Sequence, residues 1–271
     1  MATEKRIHYY HADTTALGGY IDAPIDQMLP VIAPLSLPPV GGYAVARAER
    51  YRLEGILSFE SAYTQVAGSV SRQNGAWTTM ATSVIERLNI LDVVAVDRIV
   101  SQVATEHPRE GYDPTVTFLG TQFQNMMIGG CSVDVVLNRN LCQQALGSDG
   151  FPKTCLFEDQ QFLATVEKQY RDMSAIKNAP AWVRERYAWD NAQRERRGNV
   201  VCSVVSRVEK DFPGSAFGNV LEIPGFGKVF LGELLVDHNS FRLIAMRLEL
   251  GCPASGSIGV GTSTIEGRTY P

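Results

Sequence analysis

The sequence predicts a mainly β protein, an antiparallel sandwich or partly open barrel with an inserted helical pair, which makes it α+β overall. Two hairpin signals, Asn74-Gly75 and Gly129-Gly130, lie between segments in which apolar and polar side chains alternate. The flanking segments are rich in valine, isoleucine and threonine, which favour strands. Residues 147–198 instead show the 3.6-residue period of amphipathic helices.

Composition narrows the class of protein. The chain has 271 residues, of which 45% are hydrophobic and 20% charged, so a sizeable core is expected. A net charge of −4 does not favour nucleic acid or an anionic membrane as a partner. No window approaches the roughly 18 apolar residues of a membrane-spanning helix, and the first residues lack the apolar core of a signal peptide. We therefore expect a soluble, cytoplasmic protein.

The five cysteines do not match a disulfide framework or a zinc ribbon, because their number is odd and no two are separated by only two residues. We expect reduced thiols, no metal site and no cofactor.

The chain divides into four regions by composition. We expect a Pro/Gly-rich extended arm packed on the body, an antiparallel β region, a helical pair, and a β region that completes the same domain; their ranges are 1–42, 43–146, 147–198 and 199–271. The arm has one short strand over Ile7–Tyr10, and its prolines hold the remainder extended. Apolar residues interleave with these prolines and must be covered by the body or by a second subunit, namely Met28, Leu29, Val31, Ile32, Leu35 and Leu37.

Strands are predicted on both sides of the helical region. Residues 91–105 favour a strand, although their pattern also fits a helix. The remaining predicted strands cover 43–53, 58–72, 76–88, two segments around Gly129-Gly130, 199–208, 217–223, 226–236 and 241–250. No strand is assigned to the small, hydroxyl-rich tail that follows.

Two helices are predicted in the inserted region. The first covers Glu158–Ile176, with Phe162, Leu163, Val166, Tyr170 and Met173 on one stripe. The second runs from Pro180 to Gly198, since proline suits a helix start and glycine suits the position after its end.

The first hairpin has an unusual outward side. Its predicted register turns Val66, Thr79 and Ala81 inward and leaves a Ser/Thr/Gln face with almost no charge. A solvated face, a ligand-lined groove and a flat surface that docks another subunit all fit this pattern. The candidate ligand or interface residues on this hairpin are Ser69, Ser71, Thr78 and Thr82.

The second helix supplies the other candidates, Trp182, Trp189 and Arg186, since tryptophan and arginine are enriched at interface hot spots. Nucleic-acid binding is not favoured there, because Glu185, Asp190 and Glu195 offset three of the five arginines.

The sequence therefore predicts a β-rich binding or assembly protein without cofactor, which acts on a second copy, another protein or a small ligand. No membrane partner is expected. The alternative is an enzyme with acid–base residues on separated strands, such as Asp97, Glu60 or Glu86 with a histidine.

Overall fold

Two antiparallel sheets face each other in the computed structural model, which describes residues 6–53, 55–110, 113–190, 198–209 and 211–270. The sandwich with few helices confirms the predicted mainly β class. Strands β6, β7 and β8 of one sheet pack on β2, β17 and β18 of the other. Aliphatic side chains such as Ile85, Ile99, Leu231 and Ile258 fill the space between the two sheets.

The eight-stranded sheet has the order β13-β11-β10-β8-β7-β6-β5, with β9 also paired to β8. Its strands are β5 (Gly42–Leu53), β6 (Leu57–Val70), β7 (Trp77–Ile90), β8 (Val94–His107), β9 (Thr115–Thr117), β10 (Gln122–Ile128), β11 (Cys131–Leu137) and β13 (Val205–Glu209).

The nine-stranded sheet has the order β14-β15-β16-β17-β18-β2-β3, with β12 on β16 and β4 on β2. Its strands are β2 (Ala12–Ala23), β3 (Gln27–Ile32), β4 (Leu35–Ser36), β12 (Asn199–Ser203), β14 (Ser215–Phe217), β15 (Val220–Ile223), β16 (Gly227–Asp237), β17 (Phe241–Leu250) and β18 (Ser255–Ile265). A separate ribbon pairs β1 (Ile7–Tyr9) with β19 (Arg268–Tyr270).

The helical region lies on the nine-stranded sheet. It contains a 3-10 turn (Leu156–Glu158), α1 (Gln160–Ser174) and α2 (Ala181–Arg186). The Asp159 side chain caps α1 by accepting a hydrogen bond from the Phe162 amide at 2.7 Å. Helix α1 buries most of its predicted stripe. None of the described helices is both long and apolar enough to cross a membrane.

Helix α2 is shorter than predicted, because the chain leaves helical geometry at Tyr187. The Tyr187 and Trp189 rings both contact Tyr170 of α1, with centroid separations of 5.4 Å and 5.3 Å. We attribute the early end to this packing. Residues 191–197, where the prediction continued the helix, lie outside the described residues.

The N-terminal region differs from the predicted arm, since most of it belongs to the nine-stranded sheet. Strand β2 pairs along its length with β18 and also with β3. Leu29, Ile32 and Leu37 are buried, whereas Met28 and Val31 are exposed on the edge strand β3. The sheet tolerates Pro30 because it lies in this edge strand.

The first hairpin has a longer turn than predicted, because only Gly75 of the Asn74-Gly75 pair has positive φ. Val70 pairs with Trp77 and Ser69 with Thr78, a shift of two residues from the predicted register. A shift of two leaves every side chain on its predicted face. The second hairpin is as predicted, with positive φ at Gly129 and Gly130 and a pair between Ile128 and Cys131.

Several hydroxyl groups lie on the inward face of the eight-stranded sheet. The Thr79 hydroxyl is buried and has no hydrogen-bond partner among the described residues. The Thr82 hydroxyl, on the opposite face of β7, is also buried but accepts a hydrogen bond from Gln102 Nε2 at 3.1 Å. Replacing threonine by valine should therefore change the free energy of unfolding in opposite directions at these two positions.

We expect Thr79→Val to raise the free energy of unfolding by about 1 kcal/mol, because it removes a buried polar group that is not hydrogen-bonded. Thr82→Val should lower it by about 1 kcal/mol, because the Gln102 amide loses its acceptor. Urea unfolding of both variants checks the pair, and a loss of stability in Thr79→Val would contradict the assignment.

Candidate functional site

The solvent side of the eight-stranded sheet carries a face without charged groups at its centre. Cross-strand pairing aligns two neighbouring rows of side chains across β5, β6, β7 and β8, one that begins at Tyr43 and one that begins at Val45. These rows, with one further pair, form the outer face, which consists of Tyr43, Ala67, Met80, Ala104, Val45, Gln65, Thr82, Gln102, Ser69 and Thr78. The face therefore includes three of the four predicted hairpin candidates.

Four polar side chains of the outer face, on Ser69, Thr78, Thr82 and Gln102, form hydrogen bonds within it. Thr78 donates to the Ser69 carbonyl oxygen at 3.0 Å, and the two hydroxyl oxygens are 3.2 Å apart. Gln102 donates from Nε2 to Thr82 at 3.1 Å and approaches the Met80 sulfur at 3.5 Å. Covering this face would desolvate few unsatisfied groups, so the penalty for burial is small.

Apolar side chains project from the same face into solvent. Tyr43 is 66% exposed and Val45 is 49% exposed, both on the edge strand β5. The backbone at Gly120 lies against the Gln102 side chain, and the neighbouring Leu119 is 65% exposed. An apolar, internally bonded surface of this kind is typical of a contact site.

Ser71 has a different role from the other hairpin candidates. Its hydroxyl accepts a hydrogen bond from the Gln73 amide at 3.3 Å, and its own amide donates to the Ala76 carbonyl at 2.7 Å. Ser71 therefore stabilises the turn and does not belong to the outer face.

Charged residues lie at both ends of the outer face, with Glu106 opposite Thr78 at one end and charges of both signs at the other. Arg47 pairs with Glu49 at 3.0 Å, and Arg98 approaches Glu86 at 3.7 Å. Arg98 also donates to the Tyr63 hydroxyl at 3.0 Å. The rim of the outer face therefore carries both carboxylates, which accept hydrogen bonds, and guanidinium groups, which donate them, so neither sign of charge predominates.

The three carboxylates considered for acid–base catalysis lie in surface contacts of the same sheet. Glu60 pairs with Arg87 at 2.7 Å, and Asp97 accepts from Asn125 at 2.7 Å. Glu86 accepts from Ser61 at 2.7 Å in addition to its contact with Arg98. The geometry does not bring these groups into one pocket.

A second site lies between the helical region and the nine-stranded sheet. It is a cavity of about 520 Å³, lined by Tyr170, Arg186, Tyr187, Trp189, Ser203 and Glu233 among others. Two of the predicted candidates, Arg186 and Trp189, therefore meet there.

Glu233 is the buried charge of this cavity. It accepts two hydrogen bonds from Arg247, from Nε at 2.6 Å and from Nη2 at 3.0 Å, and a third from Arg186 at 3.1 Å. Gly232 has a φ of 58°, and the strand pairing skips this position, which marks a bulge. The bulge and the two arginines fix the carboxylate at the floor of the cavity.

Sequence reasoning missed Glu233, although a glycine followed by a carboxylate inside an otherwise apolar strand is a signal that could have indicated it. Burial raises the pKa of the adjacent Tyr187 to about 12, so this phenol is neutral at physiological pH.

Trp182 lies apart from the cavity. Its ring contacts Phe217 at a centroid separation of 6.1 Å, and the Lys228 ammonium lies 4.2 Å from the ring centroid. Both Trp182 and Trp189 are half-buried against the sheet or α1. Arg194, Arg196 and Arg197 lie outside the described residues.

Within the described ranges, one group of side chains has the composition and spacing to hold a metal ion, namely Cys155, Glu158 and His238. All five cysteines have free thiols, so Cys155 is available as a ligand.

The family model described as domain of unknown function DUF8256 matches residues 8–237. The chain belongs to the DUF8256 family. The DUF8256 match begins in β1 and ends with β16, so it includes all of the outer face and the helical region. No curated protein and no solved structure matches the chain.

Proposed function

We propose that the protein acts by self-assembly, and that the outer face of the eight-stranded sheet binds the same face of a second copy. One observation carries this proposal: the centre of the outer face is uncharged, the hydroxyls of Ser69, Thr78 and Thr82 bond internally, and Tyr43 and Val45 remain exposed. Docking would bury apolar area at a small polar desolvation cost.

A second copy suits this surface better than a strongly charged partner. Symmetric dimers place the same patch on both sides of the interface, so the patch must complement itself. The uncharged centre does not repel its copy, and the rim carries Arg47 and Arg98 as well as Glu49 and Glu86. Rotation about a two-fold axis can place these opposite charges against each other.

Small-ligand binding is a second candidate function, favoured by the cavity beneath α2. The negative charges of Glu233 and Glu249 balance the positive charges of Arg186 and Arg247. Two further carboxylates, Glu185 and Asp190, line the cavity. A neutral or cationic molecule with a flat apolar side fits this lining of carboxylates and aromatic rings.

Charge introduced on the outer face should break the assembly. We expect Tyr43→Glu to weaken self-association at least about tenfold, because two carboxylates per dimer would be buried without partners. Sedimentation equilibrium over a range of protein concentrations measures the dissociation constant.

Matched controls come from exposed tyrosines on other surfaces. Tyr20→Glu on β2 and Tyr9→Glu on the terminal ribbon add the same charge at comparable exposure and should leave the dissociation constant unchanged. If Tyr9→Glu dissociates the assembly and Tyr43→Glu does not, the interface lies on the ribbon and the proposal is wrong.

A further inference from the structure

Three side chains of types that commonly bind metal ions lie close together at the turn that precedes α1. The ligand atoms of Cys155, Glu158 and His238 all lie within 4.8 Å of one another, and the Cys155 sulfur is 3.9 Å from His238 Nδ1. Cys155 precedes the 3-10 turn and Glu158 ends it. Residues three apart eclipse each other in a 3-10 helix, so the turn itself brings the thiol and the carboxylate to one side.

His238 reaches the same point from the turn between β16 and β17. The Asp237 carboxylate holds this turn by accepting hydrogen bonds from the amides of Asn239 and Ser240, at 2.8 Å and 2.7 Å. The His238 ring packs against Phe157, with ring centroids 4.4 Å apart. The imidazole is therefore held by a bonded turn and an aromatic contact.

We propose that Cys155, Glu158 and His238 bind one Zn²⁺ ion, with a water molecule completing a tetrahedral shell. Thiolate, imidazole and carboxylate are the ligands that zinc takes in proteins. Bond lengths of about 2.0–2.3 Å place tetrahedral ligand atoms about 3.3–3.8 Å apart, so the cluster contracts by about 1 Å when the ion binds.

Binding changes no oxidation state. The Cys155 thiol releases its proton to solvent, and its sulfur forms a bond to the ion. The ion would connect the 3-10 turn with the turn between β16 and β17. The site shares no residue with the outer face, so this proposal is independent of self-assembly.

Cobalt titration of the full metal-free chain tests the site, because Co²⁺ reports a thiolate ligand by a charge-transfer band. We expect one Co²⁺ per chain, with that band and intense visible bands typical of tetrahedral geometry, and displacement of Co²⁺ by Zn²⁺. Cys155→Ser should abolish the charge-transfer band, and His238→Ala should weaken Zn²⁺ affinity at least about tenfold.

Glu158→Gln should weaken affinity by a similar factor while preserving the thiolate band. Cys131→Ser, which removes a half-buried thiol on β11, is the matched control and should bind as the wild type does. A titration without the thiolate band, or a band that survives Cys155→Ser, would overturn the proposal.

The wild-type protein offers a test that does not depend on the folding of variants. Iodoacetamide labelling followed by peptide mass spectrometry should show Cys155 protected by Zn²⁺, while labelling of the exposed Cys252 stays constant. Equal labelling of Cys155 with and without saturating Zn²⁺ would also contradict the site.

Discussion

Replacing Glu233 by glutamine is expected to lower the free energy of unfolding by about 3 kcal/mol, because it leaves two arginines facing a neutral amide. Arg247 loses a bidentate carboxylate, and Arg186 loses the contact that ties the end of α2 to the sheet. This loss in the free energy of unfolding is at the low end of that expected for breaking a buried ion pair, because Glu249 still accepts a hydrogen bond from Arg247. Chemical unfolding measures the loss.

The matched control for Glu233 is Glu209→Gln on β13. Glu209 pairs with Arg207, and both side chains are largely exposed. Such surface pairs contribute about 0–1 kcal/mol. Equal losses for the two variants would show that Glu233 does not anchor the helical region.

Lowering the pH is expected to destabilise the fold through His8. Its ring is buried, stacks on Trp77 and lies 4.7 Å from the His107 ring between centroids. Burial lowers the pKa of His8 from 6.5 to about 4. Between these values the unfolded chain binds a proton that the folded chain does not, so stability falls as the pH decreases through this window.

The expected loss from His8 is about 2 kcal/mol between about pH 7.5 and about pH 5. His8→Phe keeps an aromatic ring and removes the titrating group, so the variant should lack this part of the pH dependence. His107 is present in both proteins, and the difference between them reports His8. Identical pH dependence of unfolding in the two proteins would contradict the assignment.

The local patterns predicted most of the strands, because sheet periodicity and turn residues act over short distances. Gly129-Gly130 formed the predicted two-residue turn, since both glycines adopt positive φ. Asn74-Gly75 did not, since the turn there spans more residues and is stabilised by Ser71 and Arg109. The inward and outward faces were nevertheless predicted correctly, because the register shifted by an even number.

Pairings between distant residues could not be predicted in this way. Strand β18 lies in the hydroxyl-rich tail and pairs with β2, which was expected to be an arm. Ile258 and Val260, two residues apart, indicate a strand, but this pattern was missed because the tail consists mostly of small and hydroxyl residues. A strand with so many small residues is stable only because both its neighbours are present.

The candidate residues were predicted where one element supplies them and missed where several elements meet. Ser69, Thr78 and Thr82 lie on one hairpin, so their common face followed from alternation alone. Glu233 and Arg247 lie on neighbouring strands, and Cys155 and His238 come from turns far apart in the chain. Only the folded topology brings these groups together.

Self-association is the central claim, and the native mass in solution tests it most directly. Light scattering coupled to size exclusion of the full chain at micromolar concentration should give twice the chain mass of 29.8 kDa. The full chain is required, because a truncated protein that starts at Gly41 would lack β2 and its buried Ala16, Leu17 and Ile21. A mass of 29.8 kDa that does not change with concentration would contradict assembly through the outer face.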